Sequence, residues 1–98
     1  MAKIQLTQNG DALFNCPGCG MLHVVYLKSE GRPRWSFNGD VDKPTFSPSI
    51  KVWWTETPRT DPVEKVCHSF VTDGQIQFCG DSTHDLAGRT VDLPEMEA

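Results

Sequence analysis

The sequence predicts an all-β domain made of small antiparallel sheets or a partly open barrel, with a zinc-knuckle turn at one end. Three observations support this fold class. Short segments of alternating polar and apolar residues recur along the 98-residue chain. Seven prolines and eight glycines separate these segments. Two turn signals, Asn9-Gly10 and Asp73-Gly74, each stand between candidate strands.

In chain order, the predicted strands are residues 3–7, 12–14, 22–28, 35–37, 50–55, 63–72, 75–79 and 90–93. The third strand is apolar on both faces, which favours a central or well-covered position. Pro44 and Pro48 predict that residues 43–49 form an extended connection, since proline removes a backbone donor. Side-chain oxygens at residues 81–83 predict a short helical turn near residues 82–87, closed by Gly88.

Size and charge limit the function classes. We expect one domain over residues 1–94 and a frayed tail over residues 95–98. The net charge is −4 and basic residues are scattered, so a nucleic-acid partner is disfavoured and a protein partner is expected. The sequence has no hydrophobic run typical of a signal peptide or membrane span, which predicts a cytoplasmic protein that does not bind membranes.

The motif Cys16-Pro17-Gly18-Cys19-Gly20 predicts half of a metal site. In such a turn, backbone N–H groups point at the two sulfurs and Gly20 allows positive φ. A thioredoxin-like redox pair would require a helix N-terminus after the motif, and a β-like segment follows instead. Zinc is therefore the expected cofactor, with iron as an alternative for a thiolate-rich site.

Strand alternation leaves two candidate ligand sets. A two-residue turn at Asp73-Gly74 places His68 opposite Cys79, on the face away from Cys67. The first set is Cys16, Cys19, His68 and Cys79. The second set is Cys16, Cys19, Cys67 and His84. His23 is a further candidate by its spacing from Cys19, but a surface histidine is the more frequent explanation.

Several motifs together resemble a family of small phage and prophage proteins of unknown function, often labelled ammonia monooxygenase. They are CPGCG (16–20), PTFSPSI (44–50), CHSF (67–70) and DSTHDLAG (81–88). Ammonia monooxygenase is a membrane-bound copper enzyme, which this chain does not resemble. The resemblance implies a phage-encoded protein in the host cytoplasm. Relatives often carry an aliphatic residue at position 79 and a cysteine at position 82, whereas this chain has Cys79 and Ser82. The difference favours the second ligand set, and it leaves open that Cys79 replaces the missing cysteine.

The sequence favours a binding module with a structural zinc site over an enzyme. A small zinc-dependent hydrolase is the alternative, with His68, Asp81 and His84 as its acid–base residues. A zinc domain that binds nucleic acid is the third possibility. Adjacent Trp53 and Trp54 must lie on opposite faces of their strand, so at least one is expected outside the core.

Overall fold

A computed structural model describes residues 2–28, 34–57 and 61–96. The predicted all-β class is confirmed: the described residues form strands and turns, with no helix. None of these residues therefore belongs to a helix that could cross a membrane. The predicted tail lies partly outside the described residues. Within its described part, the Met96 N–H donates to the Ala2 carbonyl at 2.8 Å.

Two antiparallel sheets make up the domain. The first, sheet A, has the order β1-β2-β3, with β1 at Gln5–Leu6, β2 at Ala12–Asn15 and β3 at Leu22–Val25. The second, sheet B, has the order β4-β5-β6-β7-β8. Its strands are β4 (Ser36–Phe37), β5 (Phe46–Glu56), β6 (Val63–Thr72), β7 (Gln75–Phe78) and β8 (Thr90–Asp92).

The inner faces of the two sheets enclose the core. Sheet A contributes Ala12, Phe14 and Val25, which are all fully buried. Sheet B contributes alternate residues of its central strands, such as Val71 and Ile76, which are register partners. Because side chains alternate along a strand, the residues between them on β6 face outward.

The hairpin between β6 and β7 has the predicted register. Thr72 pairs with Gln75 across the Asp73-Gly74 turn. The Cys79 N–H donates to the His68 carbonyl at 2.8 Å, which places these two residues opposite each other. His68 and Cys67 therefore point to opposite faces of sheet B, as the alternation predicts.

Two local expectations were wrong. Strand β5 begins at Phe46, within the segment expected to be a non-strand connection. It accommodates Pro48 because its register with β6 shifts between Phe46 and Ile50, and proline is tolerated at such irregularities. Strand β3 is an edge strand whose Leu22 and Val24 side chains are exposed, although its two apolar faces predicted a covered position.

The segment after β7 forms turns. Ala87 N–H donates to the His84 carbonyl at 3.2 Å, and Arg89 N–H to the Leu86 carbonyl at 2.9 Å. Both bonds join residues three positions apart, which gives the short turn expected near residues 82–87. Gly88 adopts a φ of 80° at the end of this turn. Trp53 is 71% exposed while Trp54 packs against the core, as their alternation on β5 predicts.

Candidate functional site: a thiol cluster and a Ser-His-Asp triad

A cluster of potential metal ligands lies between the two sheets. One ligand atom from each of Cys16, Cys19, His23 and Cys67 falls within 4.8 Å of the others. The first three residues come from the end of β2, the turn and β3 of sheet A, whereas Cys67 comes from β6 of sheet B. Cys16, His23 and Cys67 are all buried. A cation held here would join the two sheets.

The CPGCG turn has the geometry expected of a zinc knuckle. The Gly20 N–H donates to the Cys16 carbonyl at 3.0 Å, and Gly20 adopts a φ of 73°. The backbone N–H of Cys19 bonds to the Cys16 sulfur, and that of Met21 bonds to the Cys19 sulfur. Both bonds favour the thiolate forms, because a donor near a sulfur stabilises its negative charge.

The protons of the cluster are distributed unevenly. The Cys16 and Cys67 sulfurs lie 3.6 Å apart. The hydrogen bond from Cys67 lowers the pKa of the Cys16 thiol to about 3, against the opposing effect of its burial. The same contact, followed by burial, raises the pKa of Cys67, and burial raises that of Cys19. Without a cation the cluster can hold one thiolate readily but not three, because the charges repel each other in a buried place.

The spacing and chemistry of this donor set fit zinc. Zinc–sulfur bonds of about 2.3 Å at tetrahedral angles place two sulfurs about 3.8 Å apart. The Cys16 and Cys67 sulfurs, at 3.6 Å, are close to that separation. The Cys19 sulfur lies 3.2 Å from His23 Nε2, where the same geometry with a zinc–nitrogen bond of about 2.0 Å gives about 3.5 Å. Three thiols and an imidazole form one of the usual structural zinc sites.

His84 adjoins this cluster through Cys67. Its Nε2 lies 3.5 Å from the Cys67 sulfur, and its ring lies edge-on to Phe78. The Leu86 N–H donates to His84 Nδ1 at 3.2 Å, so the ring proton of a neutral His84 is on Nε2. In this arrangement Nε2 donates to the Cys67 sulfur and has no lone pair for a metal.

The structure therefore brings together three of the four residues in the favoured set, with His84 beside them. The fourth member of the compact cluster is His23, which is 4% exposed and so is not a surface histidine. In the sequence, only the spacing of His23 from Cys19 indicated that it could be a metal ligand. The other set is divided: His68 and Cys79 belong to a separate group with Asp81, away from Cys16 and Cys19.

That second group includes a Ser-His-Asp triad on the outer face of sheet B. Ser49 Oγ lies 3.0 Å from His68 Nε2. His68 Nδ1 lies 3.1 and 3.2 Å from the two carboxylate oxygens of Asp81. A hydroxyl, an imidazole and a carboxylate connected in this order are the functional groups of serine hydrolases.

Three chain segments position the triad. Ser49 lies on β5 where its register is irregular, and His68 projects from the neighbouring β6. Asp81 comes from the segment that follows β7. The adjacent Ser82 fixes that segment to β6, because its Oγ accepts from the His68 N–H at 3.1 Å and donates to the His68 carbonyl at 3.0 Å. The His68 backbone thus holds Ser82 in place, and Ser82 is adjacent to Asp81, whose carboxylate contacts the His68 ring.

The hydrogen-bond chemistry of the triad sets its proton positions. An ionised Asp81 carboxylate can only accept, so His68 Nδ1 carries a proton and donates it to Asp81. His68 Nε2 is then an acceptor, and Ser49 Oγ–H donates to it. This tautomer is the one that allows a histidine to remove a proton from a serine hydroxyl.

Sequence reasoning identified two of the three triad residues. His68 and Asp81 were predicted as acid–base residues of the alternative hydrolase, together with His84, which lies instead beside the thiols. Ser49 was missed, because it stands in no nucleophile motif and a lone serine carries no chemical signal. The strand alternation that places His68 on the outer face also places outer-facing hydroxyls of the neighbouring strand near its ring, which is the signal for Ser49 in the sequence.

Comparison with known proteins gives one family match. A family model described as "Bacterial ubiquitination-like system serine protease (BubE)" matches residues 2–79 of the 98. The match includes the CPGCG turn, Ser49 and His68, and ends two positions before Asp81. No curated protein and no solved structure matches the chain. The phage origin and the cytoplasmic location stay predictions.

Proposed function

The chain belongs to the family of bacterial ubiquitination-like system serine proteases, BubE, and from this premise we propose that it is a serine protease. Ser49 is the nucleophile, His68 the general base and Asp81 the group that orients the imidazole. The observation that carries the proposal is the pair of contacts on His68, 3.0 Å from Nε2 to Ser49 Oγ and 3.1 Å from Nδ1 to Asp81. The family name directs the proposal to a protein substrate within a ubiquitination-like system.

The first half of the reaction forms an acyl-enzyme. Ser49 Oγ attacks the carbonyl carbon of an amide bond, and its proton passes to His68 Nε2. The imidazolium that forms is stabilised by Asp81 through the Nδ1–H bond. His68 then gives the Nε2 proton to the leaving nitrogen as the C–N bond breaks, which releases an amine and leaves the acyl group on Ser49.

The second half regenerates the enzyme. A water molecule attacks the acyl carbon while His68 Nε2 takes its proton. The ester bond to Ser49 Oγ breaks, and the proton returns to that oxygen. The products are a carboxylic acid and the original hydroxyl. The triad is accessible to such a substrate, since Ser49 is half-buried and the side chains of His68 and Asp81 are 25% and 50% exposed.

We also propose that the thiol cluster holds one zinc ion in a structural role. Cys16, Cys19 and Cys67 would supply thiolates and His23 an imidazole, while His84 donates to the Cys67 sulfur. When bound, the ion would neutralise the crowded thiolates and cross-link the two sheets. Because Cys67 and His68 point to opposite faces of β6, the ion would hold the strand without taking part in the reaction at Ser49.

An alkyl fluorophosphonate tests the protease proposal, because it reacts with activated serine hydroxyls irrespective of peptide sequence. We expect one adduct per chain, located at Ser49 by mass spectrometry. Ser49→Ala should abolish it, whereas Ser47→Ala, on the same strand, should leave it unchanged. Asp81→Asn should slow it by a factor of the order of 10³ to 10⁴, because the wrong imidazole tautomer is then stabilised.

The same experiment separates the protease from the binding module favoured by the sequence. An unlabelled wild-type protein with bound zinc, or one labelled equally after Ser49→Ala, would contradict the protease proposal. A metal-stabilised domain that binds a protein partner would then be the better description. The alternative zinc-dependent hydrolase differs in that its activity would require the metal rather than Ser49.

A further inference from the structure

Strand β5 has an open edge immediately after Ser49. Strand β4 pairs with β5 only at Phe46 and Ser47. From Ile50 to Glu56, β5 is paired with β6 on one side. On its other side, the residues that the structure describes provide no further strand.

The β6 contacts show which backbone groups of β5 face this edge. The N–H and carbonyl of His68 bond to Ser82 and Cys79, on the side away from β5. The N–H and carbonyl of Val66 likewise bond to Thr83. Their register partners on β5 are Lys51 and Trp53. These are therefore the non-hydrogen-bonded pairs of the ladder, so the N–H and carbonyl groups of Lys51 and Trp53 point to the open edge.

These four backbone groups have no hydrogen-bond partner within the described parts of the chain. Proteins commonly protect a strand edge of this kind with charge, a bulge or a covering loop, because it is a template for another strand. Here the outward-facing residue in the middle of the edge is Trp53, which is 71% exposed. The edge is thus unpaired, and it presents the apolar side chain of Trp53 next to the charged Lys51.

A groove of about 250 Å³ runs along this edge. Lys51, Val52 and Trp53 of β5 form one side, and Val24 and Tyr26 lie on the other. Trp35 lines the groove where it meets the triad, because its indole N–H donates to the Ser49 carbonyl at 3.1 Å. The walls are largely aromatic and aliphatic, with Val24 40% exposed.

We propose that this groove is the substrate-binding site, in which an extended peptide segment pairs with β5 through Lys51 and Trp53. This inference rests on the proposed protease function and specifies how its substrate is held. A strand rises about 3.3 Å per residue, so partners of Lys51 and Trp53 would lie about 7 and 13 Å from Ser49. They would be substrate residues roughly two to four positions from the bond that is cleaved.

The occupant is an extended segment with apolar side chains. Main-chain hydrogen bonds provide affinity in strand addition, and pockets for alternate side chains provide specificity. The edge offers two N–H and two carbonyl groups in a strand register, which only an extended backbone can satisfy together. The aromatic walls favour apolar side chains over charged ones.

Acetylated peptidyl diphenyl phosphonates test this site, because they add a peptide to a group that reacts with the same serine. The short probe carries a single residue on the phosphonate, and the long probe carries that residue preceded by three valines. Each probe is used as a mixture in which the residue attached to the phosphorus varies. The longer probes should modify Ser49 at least about tenfold faster, as expected for one or more added hydrogen bonds. Methylation of the amide nitrogens that pair with β5 should remove this gain.

Paired variants examine the protein side of the same contacts. Trp53→Pro removes the N–H that faces the edge, whereas Trp53→Ala keeps it, and proline is tolerated where the N–H faces outward. The proline variant should react with the long probe no faster than with the short one, while the alanine variant should keep part of the gain. Each probe rate is divided by the alkyl fluorophosphonate rate of the same variant, so that any change at the triad itself is removed from the comparison.

The outcomes separate the two proposals. A wild-type protein labelled by the fluorophosphonate but equally fast by short and long probes would overturn the substrate groove and leave the protease standing. A length gain that survives amide methylation or Trp53→Pro would also overturn it. A wild-type protein that the fluorophosphonate does not label would overturn both proposals.

Discussion

At the scale of the residue, Gly18 of the CPGCG turn packs directly against the His84 ring. A Cβ atom on Gly18 would lie 2.3 Å from His84 Cε1 and 2.5 Å from its Nε2. Separations this short are far inside van der Waals contact, so any side chain would displace the His84 ring. The glycine of the motif thus allows the ring to reach the Cys67 sulfur.

Gly18→Ala should therefore destabilise the protein. Overpacking of this kind typically costs about 1–3 kcal/mol, which lowers the Tm of a domain this size by at least roughly 4 °C. Thermal unfolding followed by circular dichroism would measure the change. Gly80→Ala is the matched control, because a Cβ there would meet no atom within 4 Å. Equal Tm values for the two variants would contradict the packing argument.

At the scale of the element, strand β6 carries two different chemistries on its two faces. Cys67 points inward to the thiol cluster, and His68 points outward to Ser49 and Asp81. The two-residue period of a strand separates these neighbouring side chains completely. Substitutions at adjacent positions should therefore affect different properties of the protein.

We expect Cys67→Ser to abolish zinc retention, since it removes a ligand and leaves an unfilled coordination position. His68→Ala should keep the zinc and lose the reaction with fluorophosphonate. Cys79→Ser should keep the zinc, because Cys79 lies on the outer face with His68. Elemental analysis of purified variants gives the zinc content per chain. Loss of zinc from Cys79→Ser but not from Cys67→Ser would contradict this ligand assignment.

The histidine ligand can be identified by the same measurement. His23→Ala should release the zinc, or weaken its binding by at least about tenfold, if His23 is the fourth ligand. His84→Ala should have a smaller effect, because it removes only a hydrogen bond to a ligand sulfur. The opposite order would support the sequence-based prediction, in which His84 itself binds the metal.

At the scale of the whole molecule, the thiol cluster connects sheet A to sheet B. Cys16, Cys19 and His23 belong to the first sheet and its turn, and Cys67 belongs to the second. A 98-residue domain has a limited core. A metal that binds only the folded state adds its binding free energy to that of the core.

Removal of the metal should thus weaken the entire domain. Free zinc at 100 times its Kd contributes about 2.7 kcal/mol to the free energy of unfolding, and a chelator should remove that contribution. Zinc should also be released as pH falls, because protons compete with it for the thiolates. This competition is strong at Cys19, where burial raises the pKa of the thiol. A Tm unchanged by chelation at neutral pH would contradict a structural role for the metal.

The fold class and half of the metal site could be predicted from the sequence because both depend on local patterns. Alternation and turn residues specify strands, and the CPGCG turn specifies two sulfurs by its spacing alone. The register of the β6–β7 hairpin followed from Asp73-Gly74, where Asp73 adopts a φ of 51° and Gly74 one of 79°. These features involve residues close together in the chain.

The triad and the open edge were decided by tertiary structure. Ser49, His68 and Asp81 come from three segments, and only the pairing of β5 with β6 and the attachment of residue 82 bring them together. The position of Cys67 beside Cys16, Cys19 and His23 likewise depends on how sheet A packs against sheet B. One sequence specifies which residues have the required chemistry, but contacts between distant segments determine which of them meet.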